Sequence, residues 1–201
     1  MKWILKAITK ETDHPFLNSY VLHYSIEKNG KNRPYDYYLA SRHEKDELIA
    51  KTHLYNRPDG VVMALYEKGE NGIRILLTQQ YRPAIGAYLT SMPAGLLDEK
   101  DDDLFVAASR EAKEESGAEI TDLELLAPAS PTSSGLSDEL DAVVLGRITG
   151  FGETQLEAVE DISAKLYSLD EIKAMMKDKK RLIPLLVRMI LLYLLERFDG
   201  E

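Results

Sequence analysis

Glu111, Glu114 and Glu115 stand at i, i+3 and i+4 in the segment REAKEESG, a spacing that stacks three carboxylates on one face if the segment is helical. Like charges so placed destabilise an isolated helix by a few tenths of a kcal/mol per pair. Such a face is either turned to water, with Arg110 and Lys113 compensating in part, or gathered around a cation. Hard divalent ions take oxygen ligands, often one or two carboxylates together with substrate phosphates. From the three glutamates alone the solvated face is the better reading. The surroundings change the balance. Gly117 follows at the position where a C′ glycine closes a helix. Pro93-Ala94-Gly95-Leu96-Leu97 and then Asp98, Glu99, Asp101, Asp102 and Asp103 lead into it.

The stretch from Pro93 to Ala118 resembles the Nudix box, G-x5-E-x7-R-E-U-x-E-E-x-G-U with U aliphatic. Arg110 to Ala118 fits its second half, with Ala112 and Ala118 at the U positions. Counting back from Arg110 puts the first acidic position on Asp102, a shorter carboxylate, with six residues between it and Gly95 instead of five. This reads as a one-residue loop insertion. Upstream, Gln80-Tyr81-Arg82-Pro83 with Gly86, Tyr88 and Leu89 is similar to the ADP-ribose pyrophosphatase branch of the family, but Ser91 stands where that branch commonly has an acid. Downstream, SSGLSDE, Ser133 to Glu139, also looks like that branch.

The resemblance implies an α/β protein (α+β) with the Nudix α/β/α sandwich of mixed sheets, preceded by a small N-terminal antiparallel β unit. It implies metal-dependent hydrolysis of the diphosphate linkage in nucleoside diphosphate derivatives, ADP-ribose preferred, giving AMP and ribose 5-phosphate. The ion would be Mg²⁺, with Mn²⁺ able to replace it, held by Glu111, Glu114, Glu115 and the Ala94 carbonyl. Arg110 would orient a glutamate by ion pairing. Arg82 and Glu139 would meet the substrate, although each residue by itself is more often an ordinary surface or loop residue. The general base would be Glu160, Glu157 or a glutamate of the box. Glu153, Glu157, Glu160 and Asp161 are equally a solvated acidic loop. Another nucleotide sugar, or a non-hydrolytic sensor on the same fold, are the alternatives. The full set of box glutamates favours the enzyme.

Composition narrows the partners. The formal charge is −9, with a pI near 5.1, a field that repels polyanions and argues against nucleic-acid polymers. With no cysteine, disulfides, zinc thiolates and thiol catalysis are excluded. None of His14, His23, His43 and His53 shows ligand spacing. Lys6 breaks the apolar run of MKWILKAITK, too short for a signal h-region, so a cytoplasmic location is expected.

Two domains are expected: residues 1–55 as the β unit and 56–201 as the hydrolase domain. Leu17–Ile26 and Tyr35–Ala40 read as strands about an Asn29-Gly30 break, and Gly60–Tyr66 with Ile73–Gln79 as a second hairpin. Ile120–Leu126, Leu140–Ile148 and Ile162–Tyr167 read as strands, with Pro128–Asp138 a loop. Ser168 and Glu171 form a capping box. The helix from Pro184 to Phe198 is apolar nearly all round, too short to span a membrane, and suits a core or a subunit contact. Tyr20, Tyr24, Tyr35, Tyr37 and Tyr38 could be core, subunit interface or a base-stacking platform, core or interface being the safer reading. A homodimer built through the first fifty-odd residues is expected, the alternative being that this sheet packs on its own catalytic domain.

Overall fold

The computed structural model describes every residue except Asn71, Glu99, Asp102, Glu157, Val159 and Glu201. The chain divides into two compact units, Met1–Asp59 with Ala129–Asp141, and Gly60–Pro128 with Ala142–Glu201.

The first unit carries a three-stranded antiparallel sheet in the order β1 (Lys2–Lys10), β2 (Asn18–Lys28), β3 (Lys31–Ser41). Lys28 pairs with Lys31, and the two residues between them, Asn29 and Gly30, both have positive φ (52° and 74°). That is the turn whose twist matches the strands and for which Asn-Gly is the preferred pair. β3 begins four residues earlier than the sequence suggests and includes Pro34, paired with Ser25. A proline is tolerated there because β3 lies at the sheet edge. β1 escapes sequence reading because a bulge between Leu5 and Ala7 breaks its alternation. The unit has its own core of Tyr20, Leu22, Leu39 and Leu48, beside the short helix α1 (Ile49–Thr52). The segment 132–139 is fastened to it by Ala40 N–H donating to Leu136 O at 2.9 Å and Ile49 N–H donating to Asp138 Oδ2 at 3.1 Å.

The second unit is built on β4 (Gly60–Gly69), β5 (Gly72–Arg82), β6 (Ala87–Ser91), β7 (Ala94–Leu96) and β10 (Ile162–Ser168), with all but the last three residues of β8 (Ala118–Pro131) and all but the first two of β9 (Leu140–Phe151). The main path runs β10-β5-β4-β9-β8, with β6 on β5 and β7 on β4. Both faces of β4 are buried. Val61, Met63 and Leu65 face a cluster containing Ala107, Ala108 and Ala112 of α2 (Leu104–Ser116), while Val62 and Ala64 belong to a second cluster. That cluster includes Ile172 and Met175 of α3 (Leu169–Lys177) and Val187, Ile190, Leu191 and Leu194 of α4 (Leu185–Arg197). The helices therefore cover both faces of the sheet, and the α/β/α expectation holds. β8 continues through Pro131, past the expected break at Pro128. The capping box at Ser168 is formed in full. α4 buries one stripe and leaves Leu185, Met189 and Leu192 exposed. No helix among the described residues is long and apolar enough to cross a membrane.

Candidate active site

The site is organised by α2. Asp103 caps its start, accepting from the N–H groups of Phe105 and Val106 at 2.8 and 2.9 Å. Gly117 ends it in the left-handed region, φ 71°. A Cβ on Gly117 would stand 2.3 Å from the Gly152 carbonyl oxygen, and Gly152 N–H donates to Gly117 O at 2.7 Å. Glycine is needed twice there, for its φ and for the approach of the loop after β9.

The buried face of α2 is paved with alanines, which bring the helix close to the sheet. Glu115 lies on that face. Taken as a whole residue it is 7% exposed, the least of any acid among the described residues. Its Oε2 accepts from Ala94 N–H at 3.0 Å. Loss of hydration is the chief reason its pKa is pushed up to about 7; Glu111 and Glu160 push the same way, while the Ala94 bond and the Arg82 cation oppose them. Glu114, the next residue, is only half-buried.

Glu111 stands against Gly95: a Cβ on that glycine would be 1.9 Å from the Glu111 carboxyl carbon. Burial raises the Glu111 pKa, Arg110 counters it, and Glu114 and Glu160 add to the rise. Arg110 is the hub. Its guanidinium donates to Glu111 Oε1 at 2.8 Å, to Glu114 Oε2 at 3.0 Å and to the Leu96 carbonyl at 3.2 Å. It also makes a two-pronged pair with Asp101, at 3.2 and 2.8 Å. The Asp101 side chain is buried, although the residue as a whole is half-buried, and it accepts a third bond from Asp98 N–H at 2.8 Å. Its pKa is lowered, first by the Arg110 bond.

Asp101 is the residue that sequence counting missed. Counted forward from Gly95, G-x5 lands on Asp101, the residue that pairs with Arg110. Asp102, the position given by counting back from Arg110, lies outside the described residues. Counting from both fixed ends gives both positions, and the ion pair with Arg110 is made by Asp101.

The other candidates divide. Glu160 is brought to the box, its charge acting on both Glu111 and Glu115. Glu157 lies outside the described residues. Arg82 ends β5, is exposed, and its cation reaches Glu115. Glu139 belongs to the first unit, where it pairs with Arg42 Nε at 3.5 Å and accepts from Thr132 Oγ1 at 3.3 Å. Ala94 sits in β7, opposite Val62 of β4.

Among the described residues no group of three acidic or imidazole side chains is gathered tightly enough to be a finished metal cage. The donor set still fits a hard divalent ion. It is all oxygen, it contains a buried carboxylate, Glu115, whose strongest charged neighbours are anions, and such an ion needs only one or two carboxylates when water and phosphate complete its shell.

Residues 56–186 match the NUDIX domain. The chain belongs to the NUDIX family. A crystal structure of an ADP compounds hydrolase superposes with a TM-score of 0.68, covering 100% of this chain and 97% of that one. At 14% identity the likeness to this NUDIX protein is one of fold. The methanol dehydrogenase activator of Bacillus methanolicus is 32% identical over 126 residues, 62% of this chain and 66% of that protein. The match thus spans slightly less than two thirds of the relative.

Proposed function

We propose that this NUDIX protein is a pyrophosphohydrolase that cleaves the diphosphate of nucleoside diphosphate derivatives, with ADP-ribose the preferred substrate and AMP and ribose 5-phosphate the products. The observation that carries the reading is the buried Glu115, flanked by the charges of Glu111 and Glu160. Ionised carboxylates gathered around a burial site are destabilising unless a cation answers them. A chain selected only for stability would place an apolar residue on that alanine-paved face.

Glu111, Glu114, Glu115 and the Ala94 carbonyl are the donors for Mg²⁺ or Mn²⁺. When bound, a divalent ion neutralises diphosphate oxygens and acidifies water. Arg110 keeps Glu111 and Glu114 aligned, and Asp101 keeps Arg110 aligned. Arg82 offers a permanent cation to the substrate's phosphates. Glu160 is the general base: its carboxylate takes the proton of the attacking water as the new P–O bond forms and the bridging P–O bond breaks. Screening nucleotide sugars with each ion tests the substrate class. Absence of hydrolysis for every diphosphate would overturn it. In the Glu160→Gln variant kcat is expected to fall by about 100-fold or more with KM little changed; wild-type kcat would move the base into the box.

The likeness to a protein named for activating a dehydrogenase favours a second reading, a role directed at a protein partner. A variant unable to hydrolyse ADP-ribose but still functional in the cell would support it.

The chain is read as a homodimer joined through its first unit, where Tyr38 is 66% exposed and Trp3 48%. Aromatic side chains of this kind are common at subunit contacts. Light scattering is expected to give twice the 22.7 kDa chain mass, and Tyr38→Glu to shift it toward the monomer. A dimer indifferent to Tyr38→Glu would place the contact elsewhere, with the exposed face of α4 next to be tested.

A further inference from the structure

The loop between β9 and β10 carries Glu160, and it is held at both ends. At its start, Gly152 N–H donates to Gly117 O and Gln155 N–H donates to Glu114 O at 2.9 Å, fastening it to the last turn of α2. At its end, Asp161 is held twice by the β5–β6 hairpin. Its carbonyl accepts from Tyr81 N–H at 3.2 Å, and its carboxylate accepts from the Tyr88 hydroxyl. Tyr81 and Tyr88 face each other across the hairpin, their rings edge to face with centroids 5.4 Å apart. Asp161 immediately precedes β10, whose Ile162 pairs with Gln80.

Apart from its contact with Tyr81, the Tyr88 ring is largely open to solvent. It is 52% exposed, and a solvent-facing hydrogen bond adds little to stability. Its geometric effect is larger. Asp161 is the residue next to Glu160, so the bond to its carboxylate fixes the chain direction where the Glu160 side chain leaves the backbone.

We propose that Tyr88 is a positioning residue: its hydroxyl, through Asp161, sets where the Glu160 carboxylate stands against Glu111 and Glu115, and thereby sets the rate of hydrolysis. This rests on Glu160 being the general base. Misplacing a reacting group by about 1 Å can lower a rate roughly 100-fold; a loop still fastened by the Tyr81 and Gln155 bonds shifts by less.

The experiment is steady-state hydrolysis of ADP-ribose with Mg²⁺ by the full-length protein and its variants. Tyr88→Phe keeps the ring and its contact with Tyr81 and removes only the hydroxyl. Its kcat is expected to fall roughly 10- to 100-fold, with KM and the melting temperature unchanged. Asp161→Ala should lose as much, and Asp161→Asn, which keeps an acceptor oxygen, should retain most of the rate. The double variant Tyr88→Phe/Asp161→Ala should be no slower than Asp161→Ala alone, because both remove one contact. Wild-type kcat in Tyr88→Phe, a rise in KM alone, or additive losses would overturn the proposal. Glu160→Gln separates it from the reading beneath it. If that variant keeps its kcat, the assignment of the base fails; if it loses kcat while Tyr88→Phe does not, the base stands and the positioning role fails.

Discussion

Glu115→Gln is expected to change stability and activity in opposite directions. Without divalent ions the variant should melt above the wild type at pH 8 and level with it at pH 4.5. The folded-state pKa of Glu115 is about 7 against an ordinary value of 4.5. Below pH 4.5 the carboxyl is protonated in both the folded and the unfolded chain and contributes no pH dependence. Between 4.5 and 7 the unfolded chain releases a proton that the folded chain keeps, so stability falls as pH rises through that window and levels off above it. The loss is about 3 kcal/mol. An uncharged amide escapes it while its oxygen still accepts from Ala94 N–H, and for a chain of this size that corresponds to a rise of about 7 °C at pH 8. Turnover should drop by several powers of ten, since the substitution removes a donor and a negative charge together. Mg²⁺ should raise the melting temperature of the wild type at pH 8 by mass action and leave that of the variant where it was. A variant that melts lower at pH 8 and hydrolyses normally would refute the role given to Glu115.

A pair of glycine substitutions should separate the chemistry from the scaffold. In Gly95→Ala the three atoms nearest the new methyl are all at the carboxyl end of Glu111. That flexible end can swing aside while the backbone stays, so the protein should fold and melt close to the wild type. The displaced carboxylate leaves Arg110, and the rate should fall by about 100-fold or more. Gly117→Ala meets the Gly152 backbone at 2.3 Å and must hold φ 71°. Neither can yield cheaply, so a destabilisation of about 2 kcal/mol or more is expected, with disorder of the Glu160 loop. Thermal melts and kcat measured on both variants check this. Equal losses of stability would contradict the contact assigned between Gly95 and Glu111.

The neighbouring glutamates show where sequence reading stops. Glu114 and Glu115 are identical in type and adjacent in REAKEESG, yet one is half open to water, shared with Arg110, and the other is sealed against the sheet. Helical spacing puts both on a broad acidic face, but it does not say which way the helix is rotated. That rotation is fixed by Ala107, Ala108 and Ala112 packing on β4, a contact between segments about forty residues apart in the chain.

What the sequence determined by itself is local: the capping box at Ser168, the Asn29-Gly30 turn, the α2 termination at Gly117 and the box that marks the family. Each rests on backbone preferences or short spacings that act within one element. Tertiary structure decided the rest. The bulge in β1 breaks the period of two that marks a strand, and Pro34 is admissible in β3 because that strand lies on an edge, which pairing alone reveals. The partner of Arg110 is Asp101 because the loop after Gly95 folds back on α2, and Glu160 joins the box because its loop is hydrogen-bonded to α2 at one end and to the β5–β6 hairpin at the other. A carboxylate's role follows from its hydration and its charged neighbours, and residues distant in the chain supply both.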